Sequence, residues 1–276
     1  MNRARRLDAF RSSVILALIS GVWILPLIWA LGTSLRSPNE ALGNGWLWMP
    51  GAPTFQNFRE ALASAPFPTY YLNTIVIVGG ILAVQLFTVT LSGYAFARVK
   101  FPGRELFFAL FVFQLLTPLT VLVVPNFLTM KDLHLIDHKP AIMLPYMASG
   151  FGTFLMRQAF RTVPIELEEA AKVDGARWWQ LLRHVYLPST RAPLVAFMVV
   201  SITFHWNDFI WPLLVTNTPR SRPLTVGLAS FTQASESGAQ FPLIMAGTIL
   251  VMLPLLLAFL LFQRQFVASF VRSGIK

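Results

Sequence analysis

Two short constellations carry most of the polar chemistry of this 276-residue chain. The first is Glu169-Ala170-Ala171, followed by Asp174-Gly175 and then by Val185, Leu187 and Pro188. It lies in a polar, amphipathic stretch between strongly apolar segments. A plain connector needs no helix-turn-helix there; a loop that docks on a soluble partner does. The second is His205, Asn207 and Asp208. Asp208 is the only formal charge inside the apolar windows from 12–35 to 237–263. An ionisable group in lipid is costly and turns toward a cavity or a partner. His205 precedes Asp208 by three residues, so the two share a helix face and could pair. Two readings stay open: a satisfied polar cluster that fixes helix packing, or a contact for a passing solute. Gln85 and Gln114 are further candidates for a polar lining.

Other chemistry is missing from the sequence. There is no cysteine, which excludes disulfides, thiol catalysis and cysteine-based zinc sites. No G-x-S-x-G elbow and no H-E-x-x-H pair occurs, so hydrolysis has no nucleophile-base arrangement. No G-x-x-x-x-G-K-[ST] loop is present to cradle a nucleotide. Catalytic residues, metal ligands and a resident cofactor are therefore not expected.

The elements that position these residues follow from charge distribution. Hydrophobic residues make up 55% of the chain and charged ones 12%, half the usual share for a soluble domain. The charge-free windows each hold about one bilayer-spanning helix of roughly 20 residues. Six spans are expected, near 13–34, 73–96, 106–129, 140–159, 193–215 and 242–263. With both ends inside, the inner segments 1–12, 97–105, 157–191 and 264–276 hold 16 of the 22 Lys and Arg. That asymmetry follows the positive-inside rule and places 157–191 in the cytosol. It also accounts for the net charge of +10 without nucleic acid. Arg3, Arg5 and Arg6 precede an apolar run longer than a signal-peptide core, so a retained first span is expected. The segment 36–70 contains Pro38, Pro50, Pro53, Pro66 and Pro68, too many for a long helix, with Trp46 and Trp48 suited to a headgroup interface. Pro26, Pro118, Pro125, Pro145, Pro212 and Pro254 fall in or near the spans. Each kinks its helix for packing or marks a hinge.

Residues 160–191 divide into two helices. Thr162 and Pro164 are start residues, and Glu166, Glu168 and Glu169 suit the first turns. Leu167, Ala170 and Ala171 form a small apolar face, and the alanines allow a partner to approach closely. Glu168 and Lys172 make an i,i+4 pair. Asp174-Gly175 turns the chain. Trp178, Leu181, Leu182 and Val185 stripe the second helix, which Pro188 should stop. The alternative is an interfacial helix lying on lipid headgroups.

The spacing E-A-A, three residues, G, nine residues, V-x-L-P resembles the EAA loop of bacterial ABC-importer permeases, the MetI-like family. Trp206-Asn207-Asp208 with Pro212 resembles the W-N-[DE]-x-x-x-P segment of its maltose G-type members. Ala95-Phe96-Ala97-Arg98 before Phe101-Pro102-Gly103 and the ending Phe262-Gln263-Arg264 through Gly274-Ile275-Lys276 resemble that subfamily too. Ala268-Ser269 departs from it where a glycine is common. The fourth span, from Leu144 to Arg157, also resembles glycerol-phosphate E-type members. The resemblance spans about 10–276. It implies an all-α, six-span permease with cytoplasmic termini in a bacterial or archaeal inner membrane. The whole chain would be one transmembrane domain, with a basic tail 1–12, the coupling loop 160–191 and a tail 264–276. It implies coupling by Glu169, Ala170, Ala171, Asp174, Gly175, Val185, Leu187 and Pro188 to two cytoplasmic ATPase subunits, which carry the ATP and Mg. A second permease and an extracytoplasmic solute-binding protein complete the set. A carbohydrate-like solute or a glycerol phosphate is implied. A self-contained secondary transporter is the remaining alternative.

Overall fold

The computed structural model describes the backbone of residues 3–37, 51–234 and 241–274, and the side chains of 10–37, 51–118, 120–233, 241–257, 259 and 260. Trp46, Trp48 and the side chains of the terminal segment lie outside these. Among the described residues every regular element is helical. Thirteen helices carry the description: α1 (Arg3–Ser34), α2 (Gln56–Ser64), α3 (Phe67–Arg98), α4 (Arg104–Gln114), α5 (Val123–Asp132), α6 (Lys139–Met143), α7 (Gly150–Arg161) and α8 (Ile165–Val173), then α9 (Trp178–Ser189), α10 (Arg191–Trp206), α11 (Ile210–Val215), α12 (Leu224–Ala234) and α13 (Phe241–Gly274).

The chain forms two compact units. One comprises 1–67 and 227–254. In it Asn57 donates to the carbonyls of Ser34 (2.8 Å) and Arg36 (2.6 Å), tying α2 to the end of α1. Aromatic contacts join Trp29 to Phe241 and Phe67 to Phe231. The other unit comprises 68–226 and 255–276 and contains both polar constellations.

Two helical segments are by themselves long and apolar enough to cross a membrane among the described residues: Phe10–Ser34 and Phe67–Arg98. The sixth expected span lies within α13, while the third, fourth and fifth are interrupted. Pro118 breaks the third. It is extended (φ −59°, ψ 131°) and separates α4 from a 3-10 turn that leads into α5. Proline lacks the N–H donor and disfavours helix at the residue before it. In the fourth, a 3-10 turn at Leu144–Tyr146 follows α6, with Pro145 near its start. The chain then restarts at α7, whose N-cap Ser149 accepts from the N–H of Gly152 (3.0 Å). In the fifth, Asn207–Phe209 separates α10 from α11. By contrast Pro26 and Pro254 sit inside continuous helices.

Interrupted helices expose backbone carbonyls, which at membrane depth must be satisfied by protein. Side chains of other helices do so here. Gln85 Nε2 donates to the Tyr146 carbonyl (2.7 Å), Thr88 Oγ1 to Met147 (3.0 Å) and Trp211 Nε1 to Ala141 (3.2 Å). Gln85 and Thr88 belong to α3, the spine of this unit. Toward its start, Ile77 and Ile81 pack with Met130, Ala141, Ile142, Trp211 and Val215. Toward its end, Val89 and Tyr94 pack with Met156, Phe160, Leu181, Leu182, Tyr186 and Phe197. Close approach of α3 and α10 to α7 requires Gly152: a Cβ there would lie 2.6 Å from both Val89 Cγ1 and a Phe197 ring carbon.

Candidate functional site

The loop 160–191 is built as two helices joined at a glycine. α8 ends in a Schellman arrangement. Gly175 is left-handed (φ +81°) and its N–H bonds the Lys172 carbonyl (3.0 Å). The Ala176 N–H bonds the Ala171 carbonyl (2.9 Å). Asp174 is the C-cap. An L side chain at Gly175 would meet open space, so the glycine is needed for its backbone angle alone.

Thr162, expected at a helix start, instead caps the end of α7. Pro188, expected to stop the second helix, is accommodated inside α9, which runs on to Ser189. The reason is a π-helical turn at Leu182–Tyr186 just before it. A widened turn relieves the clash of a proline ring with the carbonyl four residues back. The chain then bends by 82° into α10.

The faces of these helices follow the sequence only in part. Leu167 and Ala170 are exposed, and Ala171 is half-buried against the core. Glu169 is exposed and Glu168 is buried. In α9, Leu181 and Leu182 are buried, Val185 and Leu187 half-buried, and Pro188 exposed. Trp178 and Trp179 point outward at 58% and 46% exposure. With Val173 at 88% exposure, they make a solvent-facing apolar rim around the turn.

The two helices are also tied by a charged joint. Glu168 accepts from Lys172 Nζ (2.6 Å), the spacing-predicted pair, and from the Tyr186 hydroxyl. Arg98, the last residue of α3, donates through Nη2 to the carbonyls of Phe160 (2.8 Å) and Val163. Its Nε stands 4.0 Å from Glu168 Oε2, and its guanidinium lies over the Tyr186 ring at 5.3 Å. Burial raises the pKa of Glu168, but the bonds from Lys172 and Tyr186 and the charges of Lys172 and Arg98 outweigh it and hold the carboxyl below its ordinary value. Burial and the bond to Glu168 push the Tyr186 phenol well above its ordinary value. A buried arginine, Arg157, donates to the Phe96 carbonyl (3.2 Å), pairs with Glu105 (2.9 Å) and covers the Phe108 ring at 3.8 Å. Periodicity within 160–191 could not reveal Arg98 or Tyr186 as partners of Glu168. The signal available was the i,i+4 pair to Lys172.

The second constellation does not form the pair that its spacing allows. His205 is buried, with Nε2 3.3 Å from Gln85 Nε2 and its ring 4.7 Å from that of Tyr146. Ser201 donates to Gln85 Oε1 (2.6 Å). Asp208 is half-buried, beside Tyr146 and the start of α11. Asn207 is exposed and bonds the Thr203 carbonyl (2.7 Å). Gln114 is exposed. Gln85, Tyr146, Ser201, His205 and Asp208 thus make one polar cluster at the breaks in the fourth and fifth apolar windows. Two buried atoms in it, His205 Nδ1 and Asp208 Oδ2, have no hydrogen-bond partner.

Among the described residues no group of His, Cys, Asp and Glu could hold a metal ion. The arrangement is that of a helical scaffold with an exposed helix-turn-helix loop.

Known proteins share this scaffold. Residues 88–272 match the family model described as "binding-protein-dependent transport system inner membrane component". The chain is 33% identical over 270 residues to the lactose transport system permease protein LacG of Rhizobium radiobacter, covering 98% of this chain and 97% of that one. It is 32% identical over 264 residues to the sn-glycerol-3-phosphate transport system permease protein UgpE of Yersinia pestis, covering 93% and 94%. Its fold is similar to a chain in the crystal structure of a bacterial ABC transporter involved in the import of the acidic polysaccharide alginate. The TM-score is 0.81 at 24% identity, over 96% of this chain and 98% of that one. The family match covers well over half the chain: this protein belongs to the binding-protein-dependent transport system inner membrane components.

Proposed function

We propose that the chain forms half of the translocation pathway of an ATP-binding-cassette importer and is driven through the loop 160–191. The single transmembrane domain crosses the membrane six times with both termini in the cytosol. The segments that then lie inside carry 16 of the 22 Lys and Arg. Glu169, Ala170, Ala171, Asp174, Gly175, Val185, Leu187 and Pro188 form the coupling element. Two cytoplasmic ATPase subunits bind there and hold the ATP and Mg; this chain is non-catalytic. A second, related permease lines the other half of the path, and an extracytoplasmic binding protein delivers the solute. One observation carries the reading. The apolar rim of Val173, Trp178 and Trp179 is exposed on a turn whose flanking helices are tied by the buried Glu168 to Lys172, Tyr186 and Arg98. Lone exposed apolar residues are ordinary, but a rim on a fixed turn marks a docking surface.

The solute is carbohydrate-like, a reading supported by the likeness to LacG. The comparable likeness to UgpE favours sn-glycerol 3-phosphate as the second reading. Asp208, His205 and Asn207 border the pathway through the cluster around Gln85.

The test is ATP-dependent uptake in proteoliposomes holding the whole complex, with sugars and glycerol phosphates offered in turn. Gly175→Arg forces a left-handed angle on an L residue, at a cost of roughly 1–2 kcal/mol, and places a bulky cation in the docking turn. Uptake is expected to vanish while the chain still inserts. Uptake that persists with this variant, or without the ATPase, would overturn the importer reading.

A further inference from the structure

Glu168 and Glu169 are neighbours in sequence and face opposite ways. Glu169 is exposed on the docking side. Glu168 is 5% exposed and reaches three elements at once: Lys172 of α8, Tyr186 of α9 and, at 4.0 Å, Arg98 at the end of α3. Arg98 in turn holds the last carbonyls of α7 and the connector to α8 through Phe160 and Val163. A carboxylate is removed from water only where partners compensate it. Here Lys172 and Tyr186 compensate it from within the loop, and Arg98 is the partner that ties the same carboxylate to α3.

One part of this joint is unfinished. Arg98 Nε is buried and has no hydrogen-bond partner. The Glu168 oxygen at 4.0 Å lies about 1 Å beyond hydrogen-bond reach. A small shift of α8 toward α3 closes that gap, and the reverse shift leaves it open. Interfaces that switch between two discrete arrangements amplify small displacements.

We propose that Glu168 is a positioning residue for transport: it does not bind the ATPase but transmits movement of the docking turn to α3 and α7 through Arg98 and Tyr186. The proposal rests on the coupling role of the loop given above. It predicts that the two adjacent glutamates fail in different ways when changed.

The experiment uses the complete importer in proteoliposomes and measures three things for each variant. These are ATPase retained on purification, ATP hydrolysed per complex, and solute imported per ATP. For Glu168→Ala, retention and hydrolysis are expected to stay within about twofold of wild type, with solute per ATP down tenfold or more. Glu168→Gln keeps an acceptor for Tyr186 and is expected to restore part of the coupling ratio. Glu169→Ala is expected to lower retention of the ATPase instead. Tyr186→Phe removes a single oxygen from the joint and serves if Glu168→Ala does not accumulate; a threefold or larger fall in solute per ATP is expected. Retention lost with Glu168→Ala as with Glu169→Ala would make Glu168 a docking residue and overturn the proposal. So would an unchanged coupling ratio in both Glu168→Ala and Tyr186→Phe. A wild-type chain that retains no ATPase would instead sink the importer reading itself.

Discussion

The two ends of α3 are fastened in opposite ways. At its end, Arg98 and Glu168 form a charged joint with an unmade hydrogen bond. Near its start, about 36 Å away at 1.5 Å per residue, Asn73 donates to the carbonyls of Pro219 (3.2 Å) and Arg222 (2.8 Å). Thr74 accepts from the Leu224 N–H (2.8 Å). The loop so held is also gripped by Asp137. That carboxylate accepts from the N–H groups of Asn217 (2.8 Å) and Thr218 (2.9 Å), from the Thr218 hydroxyl (2.8 Å) and from the Ser221 hydroxyl. One carboxylate is saturated by donors from a single loop, while the other spans several helices and keeps slack. A fixed end and a yielding end on one helix is what a transporter needs if force enters at one side only.

The largest effect is expected where the helices touch most closely. Gly152→Leu drives a side chain into Val89 and Phe197, both within 2.6 Å of a single added carbon. Overpacking of that kind costs about 3 kcal/mol or more. Loss of folded protein from detergent extracts, read by size-exclusion chromatography, is the expected result. A normal monodisperse peak would mean that the yielding end is looser than its geometry indicates.

Next comes the fixed end. Asp137→Ala removes four hydrogen bonds to a charged, half-buried acceptor, about 3 kcal/mol after discounting for solvent. The midpoint of thermal unfolding in detergent should fall by roughly 6–12 °C. The pH dependence has a definite sign. Burial raises the Asp137 pKa, but the bonds from Ser221, Asn217 and Thr218 overcome it and hold the carboxyl far below its ordinary value. The unfolded chain therefore binds the proton first. The stabilisation is complete above the unfolded pKa of roughly 3.9 and is lost as pH falls through the folded value. Wild type and Asp137→Ala should converge in stability only in strong acid. Convergence near neutral pH would mean that Asp137 is not the clamp. Glu168 is also held low, so its contribution has the same sign.

A smaller effect tests whether the cluster between the two ends is structural. Gln85→Ala leaves the Tyr146 carbonyl and the Ser201 hydroxyl without their partner. A loss of about 1–3 kcal/mol is expected, with solute affinity unchanged if the cluster serves only packing. A shift in the solute concentration for half-maximal uptake that exceeds the loss of folded protein would assign the cluster to the pathway.

What the sequence discloses and what it conceals divide along the same helix. α3 stands out as a long charge-free window. Asp174-Gly175 declares its turn, and the Glu168–Lys172 bond follows from spacing. These are local facts. The interruptions at Pro118 and Pro145 are not legible, because a proline in an apolar window suits a kinked helix as well as a broken one, and no proline marks the break at Asn207. Donors on other helices, Gln85, Thr88 and Trp211, make breaks tolerable. The inward face of α8 was concealed for the same reason. Spacing groups Leu167, Ala170 and Ala171 with the alanines open to a partner and is silent on Glu168, which Arg98 and Tyr186 draw inside. Asp137 finds its donors some eighty residues on, with its own backbone left-handed (φ +64°).

The smallest expected effect is the most discriminating about the yielding end. At Gly175 the added Cβ meets nothing, so Gly175→Ala isolates the backbone angle from any clash. The left-handed conformation costs an alanine roughly 1 kcal/mol and an asparagine less, since asparagine visits that region more readily. If the docking turn must keep its angle throughout the transport cycle, uptake rates should rank glycine, asparagine, alanine. The differences should be a few fold, with thermal unfolding nearly unchanged. If the angle relaxes during the cycle, asparagine and alanine should match glycine in rate. The slack would then reside in the Schellman turn, and the Arg98–Glu168 gap would merely follow it.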